Sequence, residues 1–147
     1  VVMLVHDMST DRYLIEREYR AGSDMFAYGL PAGLMDEGED IMDAALRELA
    51  EETGVVPDRD TMGVDFVGDF YSSEGMTDEL ANIMVLHLHA WHPVERHFDG
   101  DEHVESAWVS WQRLRGTRIT ASNSMIAILH EQIRRNRQNT GKSSFES

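Results

Sequence analysis

Three glutamates, Glu48, Glu51 and Glu52, stand at i, i+3 and i+4. At about 100° per residue, a helix through them puts all three carboxylates on one face. Met42, Ala45, Leu46, Leu49 and Thr53 fall on an adjoining apolar face. Like charges at this spacing repel by roughly 0.2–0.5 kcal/mol per exposed pair. Partial burial sharpens the repulsion, and the carboxylates then take up protons unless a cation joins them. The cation that suits oxygen ligands is a hard one such as Mg²⁺, with Mn²⁺ as a substitute, and Mg²⁺ keeps part of its shell for water and substrate phosphates. Ala44, one turn before Glu48, is small enough to leave room above the acidic face. Arg47 lies beside the cluster and can hold a glutamate in position, with Glu39 its natural partner just ahead of the helix. The alternative is an ordinary solvated acidic face.

The elements that must position this face are legible. Asp40 is a plausible N-cap, the helix runs to about Thr53, and Gly54 stops it. Ahead of it, Val1 to His6 and Tyr13 to Tyr19 read as a hairpin of strands, and Met25 to Leu34 as a short strand entering a Pro/Gly loop. Beyond it, strands are expected over Thr61 to Tyr71, Glu79 to Trp91 and Val104 to Val109. Ser110 can cap a short helix to Arg115, and Ser122 or Ser124 a last helix to about Arg137. Strands dominate, with one helix in the middle and one at the end, which predicts a mixed α/β sandwich over residues 1–138 and a polar, frayed tail over 139–147.

Composition sets the bounds. The 147 residues carry 13 basic and 27 acidic side chains, a formal charge of −14. That sign disfavours nucleic acid as a partner. The basic residues are arginines apart from Lys142, and arginine suits bidentate grip on phosphate or carboxylate. Without cysteine there is no disulfide, thiolate metal site or cysteine nucleophile. No apolar run is long enough to span a membrane. The chain opens at Val1 without a basic segment and apolar run of the secretory kind, so a cytoplasmic location is expected. His87 and His89 share a face of their strand, but the strand is otherwise apolar and no third ligand is evident. Arg134, Arg135 and Arg137 read as a solvated helix end.

From Gly33 onward the order is Gly33, Glu39, Arg47-Glu48-Leu49, Glu51-Glu52 and Gly54-Val55, with spacings that resemble the Nudix box at every defined position. The flanks are similar to the ADP-ribose pyrophosphatase branch. They are Arg17-Glu18-Tyr19-Arg20, Leu30-Pro31-Ala32-Gly33, Phe70 through Glu79, the acidic loop Asp99 to His103, and Gly116 to Ser124. Gly29 stands where the branch often has Glu, and Ser72 and Glu74 where it usually has Pro.

The resemblance implies an αβα sandwich with a mixed central sheet, and Mg²⁺-dependent hydrolysis of the diphosphate of ADP-ribose to AMP and ribose 5-phosphate. The same chemistry on another nucleoside diphosphate sugar or a dinucleotide is the alternative. A non-catalytic ADP-ribose sensor is the third reading, but such modules typically lose box glutamates that this chain keeps. The resemblance assigns the metal to Glu48, Glu51, Glu52 and the Ala32 carbonyl. It gives Arg47 an orienting role and Gly33, Glu39 and Gly54 structural ones. It puts the general base at Glu102, with Asp101 and Glu105 as neighbours able to take that role. Arg20 is expected to clamp a phosphate or ribose, Tyr28 or Tyr71 to stack on the base, and Glu79 to accept from a ribose hydroxyl. Ser73 and Gly75 belong to the substrate loop. The resemblance also implies a homodimer, and the strands of Val1 to Tyr19 would leave an exposed edge without a partner.

Overall fold

The computed structural model describes residues 1–22, 24–72, 75, 79–97 and 104–145, with 142–145 described by backbone alone. The elements are β1 (Val2–Asp7), β2 (Arg12–Arg20), β3 (Met25–Gly29), α1 (Ile41–Thr53), β4 (Val55–Pro57), β5 (Gly63–Tyr71), β6 (Leu80–Leu88), β7 (Trp91–Pro93), β8 (Val104–Ser110), α2 (Trp111–Gly116) and α3 (Ser122–Phe145). Among the described residues, six strands form one sheet in the order β3-β2-β1-β6-β5, with β8 also on β2. β1 runs parallel to β6 and every other pairing is antiparallel, so the central sheet is mixed. A small second sheet pairs β4 with β7.

Every residue of β1 is buried, which a central strand covered on both faces requires. Alternation then sorts the core into two layers. Val2, Leu4, Tyr13, Ile15, Ile83 and Val85 pack toward α2 and α3, against Leu114, Ala127 and Ile128. Met3, Val5, Leu14, Met84 and Leu86 pack on the other side, against Ala44, Ala45 and Leu49 of α1. Helices thus cover both faces of a mixed sheet, as expected. β1 pairs β2 on one side and β6 on the other, so it is not the exposed edge expected there. Exposed apolar side chains sit instead on the β2–β3 hairpin (Tyr19, Met25, Phe26) and on β5 (Val64, Phe66).

The long strand expected to reach Trp91 stops at Leu88, and Trp91–Pro93 turns aside to pair with β4. The last helix continues through Phe145, past the expected end near Arg137. Ser122 is already helical, and the hydroxyl of Ser124 accepts from the Leu30 N–H at 3.4 Å, so it spends its bond on the residue that follows β3. No helix among the described residues is long and apolar enough to cross a membrane.

A buried polar network fastens α3 to the sheet. Tyr13 donates to Glu131 Oε2 at 2.5 Å, and Arg134 pairs with the same carboxylate. Arg135 grips Asp11 with two bonds and reaches the Tyr13 hydroxyl. His6 lies between Asp11, at 2.7 Å from its Nε2, and His87, whose Nδ1 is 2.9 Å from its own. His87 therefore turns to His6, while His89 lies exposed beyond the strand end, and the two do not act as a pair. Two arginines face two carboxylates in this network, so its charge is already balanced by the protein.

Candidate active site

The acidic helix is held at both ends by the expected caps. Asp40 Oδ2 accepts from the N–H groups of Met42 and Asp43, at 3.0 and 3.2 Å. Gly54 takes a left-handed conformation, φ 73°, and donates to the Ala50 carbonyl. A side chain at that position would also meet the Val94 carbonyl oxygen, 2.4 Å from an added Cβ. Ala44 does not leave space above the acidic face as expected. It is fully buried and packs in the core beside Ala45 and Leu49, because the helix is turned so that its apolar stripe includes it.

Arg47 organises the segment. Its Nε and Nη2 meet the two oxygens of Glu39 at 2.8 and 2.9 Å, a two-pronged pairing. Its Nη1 reaches Glu48 at 2.9 Å and Glu51 at 3.3 Å, and its Nη2 also donates to the Leu34 carbonyl. The Arg47 guanidinium, helped by the Asp36 N–H, holds the Glu39 carboxyl at about 2. One side chain thus ties the loop before the helix to two of its glutamates.

Gly33 has a spatial reason to be glycine. A Cβ there would lie 2.0 Å from Cδ of Glu48, so the Glu48 carboxylate occupies the volume a side chain would take. The loop beneath it is pinned to β1, since Gly33 N–H donates to the Val1 carbonyl at 3.0 Å and Met3 N–H to the Pro31 carbonyl at 2.9 Å. Burial pushes the Glu48 carboxyl up, against the pull of its Arg47 hydrogen bond. Glu52 accepts from the Ala32 N–H at 3.4 Å, which brings Ala32 and Glu52 together.

A further carboxylate joins them that the motif does not contain. β2 pairs with β1 through Leu14 and with β3 from Glu16 onward, so the sheet forks at Glu16. Glu16 continues the Leu14 side of the strand, toward α1, and its carboxyl hydrogen-bonds that of Glu52. Burial first, then the hydrogen bond and charge of Glu52, push Glu16 up. Its Oε1 is buried with no hydrogen-bond partner among the described residues. The one signal in the sequence is a carboxylate at an inward phase of the alternation that begins with Tyr13 and Leu14.

A cavity of about 490 Å³ opens beside these groups, and Glu16, Glu52, Ala32, Arg20, Tyr28 and Asn123 line it. The expected metal and substrate residues Ala32, Glu52, Arg20 and Tyr28 therefore share one space. Asn123 Nδ2 donates to the Ser72 hydroxyl at 3.1 Å, which brings Ser72 to its mouth. Glu79 acts electrostatically on the Val1 amino group, as Glu48 does, and so lies on the same side. Glu51 is turned toward Arg47 and half exposed. Gly75, φ 83°, and Tyr71 are exposed and do not border the cavity. Glu105 pairs with Arg17 at 2.5 Å on the opposite sheet face, where it lines a separate space of about 700 Å³. Ser73, Asp101 and Glu102 lie outside the described residues.

Among the described residues the donors around Glu52 are carboxylate oxygens, with no thiolate or imidazole, which is the set a hard divalent cation takes. The orphaned Glu16 oxygen asks for a positive charge, and Arg47, bonded to Glu39, Glu48 and Glu51, does not bring it. The residues present fit a divalent metal.

Comparison with known proteins agrees with this geometry. An ADP-ribose pyrophosphatase of Bacillus subtilis (strain 168) is 30% identical over 94 residues, 64% of this chain and 49% of the relative. One of Saccharomyces cerevisiae (strain ATCC 204508 / S288c) is 43% identical over 53 residues, 36% of this chain and 23% of the relative. The chain thus spans about half or less of the length of these two curated relatives. A crystal structure of an ADP compounds hydrolase superposes with a TM-score of 0.67 at 20% identity, covering 92% of this chain and 73% of that one, a likeness of fold. The NUDIX domain profile matches residues 1–131, nearly the whole of the described core, and the chain belongs to the NUDIX domain family.

Proposed function

We propose that the chain is a Mg²⁺-dependent Nudix pyrophosphatase that hydrolyses the diphosphate of ADP-ribose to AMP and ribose 5-phosphate. The observation that carries this reading is the meeting of Glu16, Glu52 and Ala32 with Arg20 and Tyr28 around one cavity, beside a box whose Arg47 and glutamates are all in place. The relatives named as ADP-ribose pyrophosphatases support the substrate.

In this reading Glu48, Glu51, Glu52 and the Ala32 carbonyl hold the metal, Mg²⁺ or in its place Mn²⁺. When bound, the metal cancels phosphate charge and acidifies water. Arg47 keeps Glu48 and Glu51 aligned, and Glu39 keeps Arg47 in place. Glu102 removes the proton of the attacking water, a contribution of roughly 10²–10⁴-fold. The water oxygen bonds to phosphorus, the bridging P–O bond breaks, and the second phosphate leaves with the bridging oxygen. Arg20 grips a phosphate or the ribose, and Tyr28 offers its ring to the base. Ser73, Gly75 and Glu79 complete the substrate loop, whose start Asn123 holds through Ser72. A homodimer is part of this reading, supported by the exposed Tyr19, Met25 and Phe26 at the hairpin tip.

The second reading, the same chemistry on another nucleoside diphosphate sugar or a dinucleotide, draws on the neighbouring space of about 700 Å³. It shares Arg17 and Tyr28 with the first cavity and adds Arg113 and Arg118. A panel of ADP-ribose, nucleotide sugars and dinucleotides with Mg²⁺, read as AMP or other mononucleotide released, tests both. ADP-ribose cleaved fastest upholds the first reading. A nucleotide sugar or dinucleotide preferred by tenfold or more in kcat/KM replaces it with the second. No cleavage of any of them with Mg²⁺ or Mn²⁺ rejects the hydrolase.

A further inference from the structure

We infer that Glu16 is an additional ligand of the divalent-metal centre, contributed by the sheet opposite the box helix. The inference rests on the proposed pyrophosphatase reading and adds to it a carboxylate from outside the motif. Glu16 sits at the fork where β2 exchanges β1 for β3, opposite Gly29 of β3, which has no side chain to cover it. It points to the same side as Leu14, into the layer that α1 covers. Its contact there is Glu52, a second carboxylate, while its other oxygen is buried and unpartnered among the described residues.

The arginine of the box does not answer for it. The guanidinium of Arg47 is engaged by Glu39, Glu48, Glu51 and the Leu34 carbonyl. The cavity beside Glu16 and Glu52 admits a small ion from solvent and places it within reach of both. Glu16 and Glu52 lie on different elements, one on a strand and one on a helix. An ion held between them is therefore clasped across the gap between sheet and helix, as well as along the helix. A purely structural role, in which Glu16 only hydrogen-bonds Glu52, requires no charge on it.

Glu16→Gln separates the two, because glutamine keeps the shape and can donate to Glu52 but cannot carry a negative charge. Mn²⁺ binding without substrate, followed by the electron paramagnetic resonance signal of the free ion, is measured for the parent, Glu16→Gln and Glu52→Gln. The rise in Tm on adding Mn²⁺ is measured alongside. The expected result is a Kd at least tenfold weaker in Glu16→Gln, with a matching loss of the Mn²⁺-induced rise and an unchanged metal-free circular dichroism spectrum. A parent-like or tighter Kd in Glu16→Gln with weakened binding in Glu52→Gln overturns the role of Glu16 and leaves the box site standing. Parent-like binding in both variants overturns the metal-site reading itself. Glu16→Asp, which keeps the charge on a shorter arm, provides the second variant. Should Glu16→Gln fail to fold, a Kd in Glu16→Asp at least threefold weaker than the parent's upholds the inference, and a parent-like Kd overturns it.

Discussion

Gly33→Ala is expected to damage the site far more than the fold, and the structure says by how much. The new methyl would sit 2.0 Å from Cδ and 2.5 Å from Cγ of Glu48, so the Glu48 side chain must swing away. Gly33 is not in the left-handed region, so alanine meets no backbone strain. An off-rotamer Glu48 and its weakened bond to Arg47 cost together about 2 kcal/mol. Stiffening of the unfolded chain returns about 0.4–1 kcal/mol. The net loss of roughly 1–1.5 kcal/mol lowers Tm by about 3–6 °C in a domain of this size. Misplacing a proposed metal ligand is expected to cost kcat about 10²-fold or more, or about 2.7 kcal/mol of transition-state stabilisation. Thermal unfolding, Mn²⁺ titration and AMP release measure the three quantities. A double-mutant cycle isolates the cause, because Glu48→Ala removes the group with which the methyl collides. In that background Gly33→Ala is expected to be neutral or to stabilise by about 0.4–1 kcal/mol. The reasoning is refuted if Gly33→Ala destabilises equally with and without Glu48, or if the single variant keeps parental metal affinity and turnover.

Gly54→Ala should behave in the opposite way. Its left-handed φ of 73° and the Val94 carbonyl 2.4 Å from the new Cβ predict a loss of about 2 kcal/mol or more, with metal affinity kept in the folded fraction. Denaturant unfolding that leaves the midpoint unchanged would contradict this. Asp11 carries a pH-dependent share of stability. Its hydrogen bond from Arg135 foremost, then that from His6, holds it at about 2 in the fold against 3.8 unfolded, with the Tyr13 hydroxyl nearby on Arg135. A lowered value means the contribution is complete above 3.8 and is lost as pH falls through about 2. Asp11→Asn, which tolerates the local φ of 51°, should therefore be less stable than the parent at pH 6 and converge with it toward pH 2. A stability gap that stays constant over that range would contradict the assignment. Glu102→Gln is expected to slow kcat by roughly 10²-fold or more while binding ADP-ribose with Mg²⁺ as the parent does. If Asp101→Asn or Glu105→Gln is the crippled variant instead, the base belongs to that residue.

The box was legible in the sequence because its geometry is local. Glu48, Glu51 and Glu52 share a helix face by spacing alone, Asp40 and Gly54 cap the same helix, and Arg47 reaches Glu39 across a single loop. The order of strands and helices likewise predicted a mixed α/β sandwich, the resemblance implied its αβα layers, and composition excluded cysteine chemistry. Contacts set by pairing between distant segments were not legible. Leu88 ends β6 because Trp91–Pro93 has β4 to pair with, and Glu131 of α3 meets Tyr13, His6 and His87 of three different strands. Ala44 went to the core because the helix rotates to fit the sheet it covers, a choice the helix cannot make alone. The same holds for the site. Spacing names three glutamates on a helix, whereas the register of β2 against β1 and β3 brings Glu16 to Glu52. The pinning of residues 31–33 to β1 lays Gly33 under Glu48. Local periodicity decides which side chains share a face, and only long-range strand register decides which faces meet.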